Sequence, residues 1–139
     1  MGRWNGVGGK LDAGETPEEC MIREIKEETG ISVSSVSYKG VVTWEKKYNQ
    51  KSGMYLFFVE LSSNFTYKTP VKNREGILDW KSISWILHPQ NKGLADTLPR
   101  YLPTVLNEVG CYEHYSIFDD EKIIEWDSIP ILEDFYPIR

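Results

Sequence analysis

The chain carries at residues 9–31 the stretch GKLDAGETPEECMIREIKEETGI, and this stretch decides the fold. Thr16, Pro17 and Glu19 form the pattern of a helix start, in which Thr caps the helix, Pro suits its first turn and Glu completes a capping box. Gly30 is the residue type that commonly ends a helix, because glycine adopts the left-handed conformation without strain. The sequence therefore predicts one helix between Thr16 and Gly30, preceded by a glycine-rich loop.

The predicted helix has an apolar face and an acidic face. Its apolar stripe consists of Met21, Ile22, Ile25 and Thr29. Glu24, Glu27 and Glu28 lie at i, i+3 and i+4, so their carboxylates share the other face and repel one another. A solvated Glu-rich face is the ordinary alternative. A hard cation such as Mg²⁺ would remove the repulsion, because it takes carboxylate oxygens and keeps waters and phosphate oxygens in its remaining positions. The acidic face therefore indicates a metal site.

Residues 9–31 also resemble the Nudix box, which reads Gly, five residues, Glu, seven residues, Arg-Glu-apolar-x-Glu-Glu-x-Gly-apolar. A chance match to its fixed residues is on the order of one in 10⁸ per starting position. The slots are filled by Gly9, Glu15, Arg23, Glu24, Ile25, Glu27, Glu28, Gly30 and Ile31. The resemblance implies a hydrolase that cuts the diphosphate linkage of a nucleotide. It also implies an α/β (α+β) fold, an α/β/α sandwich with a mixed sheet between helices and the box as loop, helix and loop.

The same resemblance implies roles for individual residues of the box. Glu24, Glu27 and Glu28 are implied as catalytic metal ligands, joined by the backbone carbonyl of Gly9. The implied metal is Mg²⁺, with Mn²⁺ as the alternative. It would polarise the phosphoryl oxygens while water attacks phosphorus, so no covalent intermediate is needed.

Four further residues are assigned around these ligands. Glu15 and Arg23 are implied as an internal brace, an ion pair that ties the loop to the helix. Lys10 is positioned to touch substrate phosphate, with a solvated lysine as the alternative. Glu75 sits where MutT-like members of the family place a further carboxylate that helps to hold a metal or takes the proton of the water. An ordinary loop glutamate is the alternative at that position.

The residues just before the box indicate which nucleotide is cut. Residues 2–10, GRWNGVGGK, resemble the MutT-like branch, which removes oxidised purine nucleoside triphosphates such as 8-oxo-dGTP and releases pyrophosphate and the monophosphate. Asn5 is then the candidate base reader, since an amide offers a donor and an acceptor to a purine edge. A turn before glycine is the alternative role for this Asn. Asp96 is the comparable group where a human member of the branch places an acidic pair.

Other functions share the same box. A hydrolase of ADP-ribose, of a dinucleoside polyphosphate or of an mRNA cap would differ from this assignment only in its loops. A noncatalytic nucleotide sensor usually loses one or more box glutamates, whereas this chain keeps all of them. Members of the family also carry about one strand ahead of the Trp-Asn-Gly run. We therefore expect that the chain is truncated before Met1, or that another chain or segment fills the open edge of the sheet.

Composition limits the remaining possibilities. A chain of 139 residues, 40% of them hydrophobic, predicts a single domain. The resemblance implies that this is one Nudix domain over residues 1–139. Its 21 acidic and 16 basic residues give a net charge of -5, which disfavours a nucleic-acid polymer as partner but not a nucleotide bound through a metal. Two distant cysteines and the lack of an apolar stretch near ~20 residues predict a cytoplasmic protein without membrane contact. A homodimer is compatible with this composition.

Periodicity and turn residues predict the other elements. The predicted strands are 38–48 and 54–61, which form a hairpin through the polar segment 49–53, and the two strands of a late hairpin around 119–121. Residues 77–87 resemble another strand or strand pair. Residues 96–109 are predicted as a second helix with Pro99 near its start, which Pro103 either kinks or begins.

Overall fold

The structure is a computed structural model that describes residues 3–46, 51–74 and 76–132. Its elements in chain order are α1 (Pro17–Thr29), β1 (Ser37–Lys46), β2 (Lys51–Phe58), β3 (Val71–Asn73), β4 (Gly76–Leu78), α2 (Ile83–Ile86), α3 (Leu98–Asn107), β5 (Cys111–Asp119) and β6 (Lys122–Ile131). The chain divides into two compact units, which are residues 1–36 with 59–95 and residues 37–58 with 96–139. We call the first the box unit and the second the sheet unit. No helix within the described ranges has the length and apolar character needed to cross a membrane.

Helix α1 begins and ends where the sequence predicts. Thr16 Oγ1 accepts from the Glu19 N–H at 3.1 Å, and Glu19 Oε1 accepts from the Thr16 N–H at 2.9 Å, so both halves of the capping box are present. Gly30 ends the helix with φ 79°, and its N–H donates to the Lys26 carbonyl. Cys20 is the buried residue of this helix. The predicted apolar stripe, Met21, Ile22, Ile25 and Thr29, is partly buried along its whole length.

The box unit contains, besides α1, a two-stranded sheet and a short helix. Strands β3 and β4 pair antiparallel, with Asn73 opposite Gly76. After β4 the chain turns into α2, because Ser82 Oγ accepts from the Trp85 N–H at 3.2 Å and caps a single helical turn. The prediction of strands over residues 77–87 is therefore wrong beyond the end of β4.

The sheet unit holds four strands in the order β2-β1-β5-β6. Strand β1 pairs antiparallel with β2 and parallel with β5, and β5 pairs antiparallel with β6, so the sheet is mixed as expected. Both predicted hairpins are present. Strand β2 begins earlier than predicted, because Ser52 and Gly53 pair with Trp44 and Thr43. Residues 47–50, which join these two strands, lie outside the described ranges.

The core of the sheet unit lies between β1 and α3. Val42 on β1 is fully buried, and Tyr101 and Val105 on α3 are buried against it. Partly buried side chains around this cluster are Trp44, Met54, Leu56, Phe58 and Leu98. The predicted second helix is confirmed, but it begins at Leu98, and Pro103 lies inside it rather than at its start. Pro103 has no N–H to donate, so one backbone hydrogen bond of the helix is missing. The packing of Tyr101 and Val105 against Val42 stabilises the helix despite this loss.

Candidate functional site

The glycine-rich loop of the box unit lies against the acidic face of α1. The Gly8 N–H donates to Glu28 Oε2 at 3.1 Å. A Cβ at Gly9 would overlap the Glu24 carboxylate, so that carboxylate can hold its present position only while residue 9 is glycine. The side chain of Glu24 is 14% exposed. The structure thus brings Gly9 to Glu24 and the same loop to Glu28.

Arg23 joins this loop to the helix. Its Nε donates to Glu15 Oε2 at 2.7 Å and its Nη2 to Glu15 Oε1 at 3.0 Å, which is the bidentate geometry that guanidinium and carboxylate groups favour. Nη2 also donates to the Lys10 carbonyl at 3.0 Å. The hydrogen bonds from Arg23, followed by the one from the Asp12 N–H, lower the pKa of Glu15 to about 2. Glu15 and Arg23 therefore lie in the arrangement that a brace between loop and helix requires.

The same guanidinium contacts the acidic face. Arg23 Nη1 lies 2.9 Å from Glu24 Oε1 and 3.0 Å from Glu27 Oε2. Glu27 is the more accessible of the two glutamates, with 59% of its side chain exposed. Among the residues that the structure describes, no three acidic, His or Cys side chains are arranged to hold a metal ion. In this arrangement Arg23 supplies the positive charge that offsets the repulsion between the glutamates.

The donor atoms of this face are nevertheless of the chemical kind that a divalent cation takes. The carboxylates of Glu24, Glu27 and Glu28 and the carbonyl of Gly9 are hard oxygen donors of the kind that Mg²⁺ prefers. The three glutamates lie on neighbouring turns of one helix. The backbone of Gly9 lies so close to the Glu24 carboxylate that a Cβ there would overlap it. The donor set is therefore suited to the metal that the sequence predicts.

The other predicted site residues lie in three places. Asn5 is exposed in the loop, and its Oδ1 accepts from the Gly6 N–H at 2.9 Å, so one end of the amide supports the local turn. Lys10 is exposed in the same loop, where Arg23 fixes its carbonyl. Asp96 is exposed in the sheet unit, directly before the residue that caps α3. Glu75 lies outside the described residues.

Sequence reasoning missed two side chains that hold the C-terminal end of α1. Tyr67 Oη donates to the Thr29 carbonyl at 2.6 Å, and Asn73 Nδ2 donates to the Glu28 carbonyl at 2.9 Å. The signal in the sequence was only general, because the last carbonyls of every helix need donors and many side chains can supply them. No spacing rule pointed to these two residues.

Trp4 fastens the glycine-rich loop to residues 93–95. Its N–H donates to the Gly93 carbonyl at 2.8 Å, and its carbonyl accepts from the Ala95 N–H at 3.0 Å, forming an isolated parallel bridge with Leu94. Lys81 Nζ lies 4.3 Å from the centroid of the Trp4 ring, a cation–π distance. The backbone on the N-terminal side of Asn5 is therefore held at a fixed point of the box unit.

Several known proteins are similar to this chain in sequence. The family model of the NUDIX domain matches residues 1–104. The oxidized purine nucleoside triphosphate hydrolase of Mus musculus is 28% identical over 129 residues, which are 90% of this chain and 76% of that protein. A Nudix hydrolase of Bacillus subtilis is 31% identical over 84 residues, which are 60% of this chain and 53% of that protein. An NAD-capped RNA hydrolase of Vibrio atlanticus is 49% identical, but over 43 residues, 31% of this chain and 16% of that protein.

A solved structure is similar in fold. The mutator MutT protein from Bacillus halodurans superposes with a TM-score of 0.73 and 23% sequence identity, covering 91% of this chain and 82% of that one. This likeness concerns the fold, which is α+β with a mixed sheet and few helices.

Proposed function

The chain belongs to the Nudix family of hydrolases, and from this premise we propose that it hydrolyses a nucleoside triphosphate such as 8-oxo-dGTP to the monophosphate and pyrophosphate. Members of this family act on nucleotides and typically use a divalent metal. We propose Mg²⁺, or alternatively Mn²⁺, held by Glu24, Glu27, Glu28 and the carbonyl of Gly9. The observation that carries the proposal is the close approach of the loop backbone at Gly8 and Gly9 to the acidic face of α1.

One observation supports an oxidised purine as the base of the substrate, and a second supports Asn5 as the residue that contacts it. The relative from Mus musculus, whose name describes hydrolysis of oxidized purine nucleoside triphosphates, aligns with 90% of this chain. In addition, Trp4 fixes the backbone beside Asn5. Because Asn5 Oδ1 is engaged with Gly6, we propose that its Nδ2 donates to the purine edge. Lys10, exposed in the same loop, is proposed to contact a substrate phosphate.

The residues that we assign to hydrolysis have different roles. A bound divalent cation supplies polarisation of the phosphoryl oxygens and a lowered pKa of the attacking water. The Gly8 N–H orients the Glu28 carboxylate, and Arg23 holds Glu15, and with it the loop, against α1. Glu75 is proposed to accept the proton of the water. Each of these groups positions charge or a proton, and none forms a covalent bond to substrate.

We also propose a domain organisation and a cellular compartment for the chain. We propose that residues 1–139 form one Nudix domain, since the family model spans residues of both units. A single cooperative transition in scanning calorimetry is the check, and two separate transitions would contradict it. In the described part of the chain no disulfide joins Cys20 and Cys111, which fits the reducing cytoplasm as the compartment that we propose.

A hydrolysis panel tests the substrate. The purified chain is given 8-oxo-dGTP, dGTP, ADP-ribose, a dinucleoside polyphosphate and an NAD-capped RNA with Mg²⁺, and release of pyrophosphate and of orthophosphate is measured separately. We expect preference for 8-oxo-dGTP with release of pyrophosphate. Preference for ADP-ribose or a dinucleotide would keep the Nudix chemistry but refute the substrate. Binding without hydrolysis would point to a noncatalytic sensor. The Glu27→Gln variant, purified in the same way, is the matched control, because a loss of activity in it shows that the hydrolysis comes from this chain and not from a contaminant.

A further inference from the structure

The side chain of Asn73 makes hydrogen bonds in two directions. Its Nδ2 donates to the Glu28 carbonyl at 2.9 Å, and its Oδ1 accepts from the Gly76 N–H at 3.0 Å. Asn73 is the last residue of β3 and pairs with Gly76, the first residue of β4. One amide group therefore closes the β3–β4 hairpin and ties it to a helix residue 45 positions earlier in the chain.

The end of α1 depends on such donors, because the last four carbonyls of a helix have no intrahelical partner. The Tyr67 hydroxyl donates to the Thr29 carbonyl. Asn73 serves the Glu28 carbonyl. Tyr67 and Asn73 thus act alike on the helix end, but the Asn73 side chain also closes a hairpin.

Glu28 is held from two sides. Asn73 fixes its backbone carbonyl, while the Gly8 N–H fixes its carboxylate at 3.1 Å. A group that binds a metal has to be kept within about 0.5 Å of its working position, so the backbone that carries it cannot fray. The outer partners of metal ligands commonly matter for this reason.

We propose that Asn73 is a positioning residue, which locks the last turn of α1 to the β3–β4 hairpin and so fixes Glu28 for metal binding. This inference rests on the proposed function, because Glu28 matters as a ligand only if the chain binds a metal.

Three variants separate the hydrogen bonds of the Asn73 side chain to Glu28 and Gly76 from the general stability of the helix end. Asn73→Ala removes both bonds. Asn73→Asp keeps an acceptor for the Gly76 N–H but places a carboxylate against the Glu28 carbonyl, where a donor is needed. Tyr67→Phe is the matched control, because it removes one hydrogen bond to the neighbouring Thr29 carbonyl and keeps its ring.

Two functional measurements compare these variants with the wild type. The first is kcat and KM with Mg²⁺, and the second is Mn²⁺ affinity by calorimetry in the absence of nucleotide. Both Asn73 variants should lower kcat and Mn²⁺ affinity by roughly 10–100-fold, the range found for outer partners of metal ligands, with KM much less affected. Tyr67→Phe should stay within about threefold of the wild type in each quantity, below that range. Equal losses in Tyr67→Phe and Asn73→Ala would overturn the proposal.

Amide hydrogen exchange gives a readout that is independent of activity. In Asn73→Asp the Gly30 amide, at the end of α1, should exchange faster while the Gly76 amide stays protected. In Asn73→Ala both amides should exchange faster. Unchanged exchange at Gly30 in Asn73→Asp would refute the proposal that Asn73 holds the last turn of α1 in place. If Asn73→Ala does not fold, Asn73→Asp alone tests this proposal. If the wild-type chain hydrolyses no nucleotide, the proposed function fails, while Mn²⁺ affinity and exchange still decide the role of Asn73.

Discussion

Replacement of Gly9 by alanine separates the stability of the box unit from its proposed function. The added Cβ would overlap the Glu24 carboxylate, which must rotate away. The overlapped atoms are the end of a flexible side chain, and leaving a preferred rotamer costs on the order of 1 kcal/mol. We therefore expect Tm to fall by only a few degrees.

The expected cost to function is larger. The displaced carboxylate of Glu24 is a proposed ligand, and Gly9 itself contributes a proposed ligand carbonyl. Disturbing such groups should lower the affinity for Mg²⁺, and kcat/KM at limiting Mg²⁺, by roughly 10–100-fold. That loss corresponds to about 1.4 to 2.7 kcal/mol of binding or transition-state stabilisation, which exceeds the cost in stability.

Gly6→Ala is the control from the same loop, because a Cβ at Gly6 meets nothing within 4 Å. The assay follows pyrophosphate release from 8-oxo-dGTP as a function of Mg²⁺ concentration, beside thermal unfolding of each variant. Gly6→Ala should match the wild type in both measurements. Wild-type activity of Gly9→Ala at limiting Mg²⁺ would refute the reasoning, because the approach of Gly9 to Glu24 would then have no part in metal binding.

Three further outcomes concern charge. Glu27→Gln should lower kcat by about two to three orders of magnitude without unfolding, because it removes charge from the metal site but not volume; wild-type kinetics at saturating Mg²⁺ would exclude Glu27 as a ligand. Arg23→Ala should lower both Tm and kcat, because Glu15 loses its bidentate partner; if both stay unchanged, Arg23 is not a brace. Burial lowers the pKa of His114 to about 4 from 6.5, so the unfolded chain binds a proton that the folded chain rejects, and stability should fall as the pH drops from about 6.5 to about 4. Thermal melts of wild type and His114→Gln check this, since the variant should lack that part of the slope.

Helix α1 could be predicted to the residue because its signals are local. Thr16 and Glu19 satisfy each other's backbone within one turn, and Gly30 ends the helix in the left-handed conformation. The acidic face could also be predicted, because helical spacing alone places the three glutamates together. Arg23 and Glu15 are 8 positions apart in the sequence, and the resemblance to the Nudix box implies their pairing.

The order of the strands could not be predicted, because periodicity identifies strands but not their partners. Thr43 on β1 and Glu113 on β5 are 70 positions apart, and they are joined by a hydrogen bond of 2.7 Å. The contacts of Tyr67 and Asn73 with the end of α1 escaped prediction for the same reason, since they span 38 and 45 positions. The sequence predicts a strand where the structure has helix α2, because one capped turn is too short to show helical periodicity.

The parallel pairing of β1 with β5 has a consequence for synthesis of the chain on the ribosome. Strand β1 must wait for its partner, and at about 5–20 residues per second the 70 positions between Thr43 and Glu113 take roughly 4 to 14 seconds to be made. During that interval β1 can pair with β2 on one side only, and its other side presents unpaired N–H and C=O groups to any neighbouring nascent chain. We therefore expect aggregation to begin before β5 has emerged, so slower initiation of translation, which keeps nascent chains apart, should raise the yield of folded enzyme.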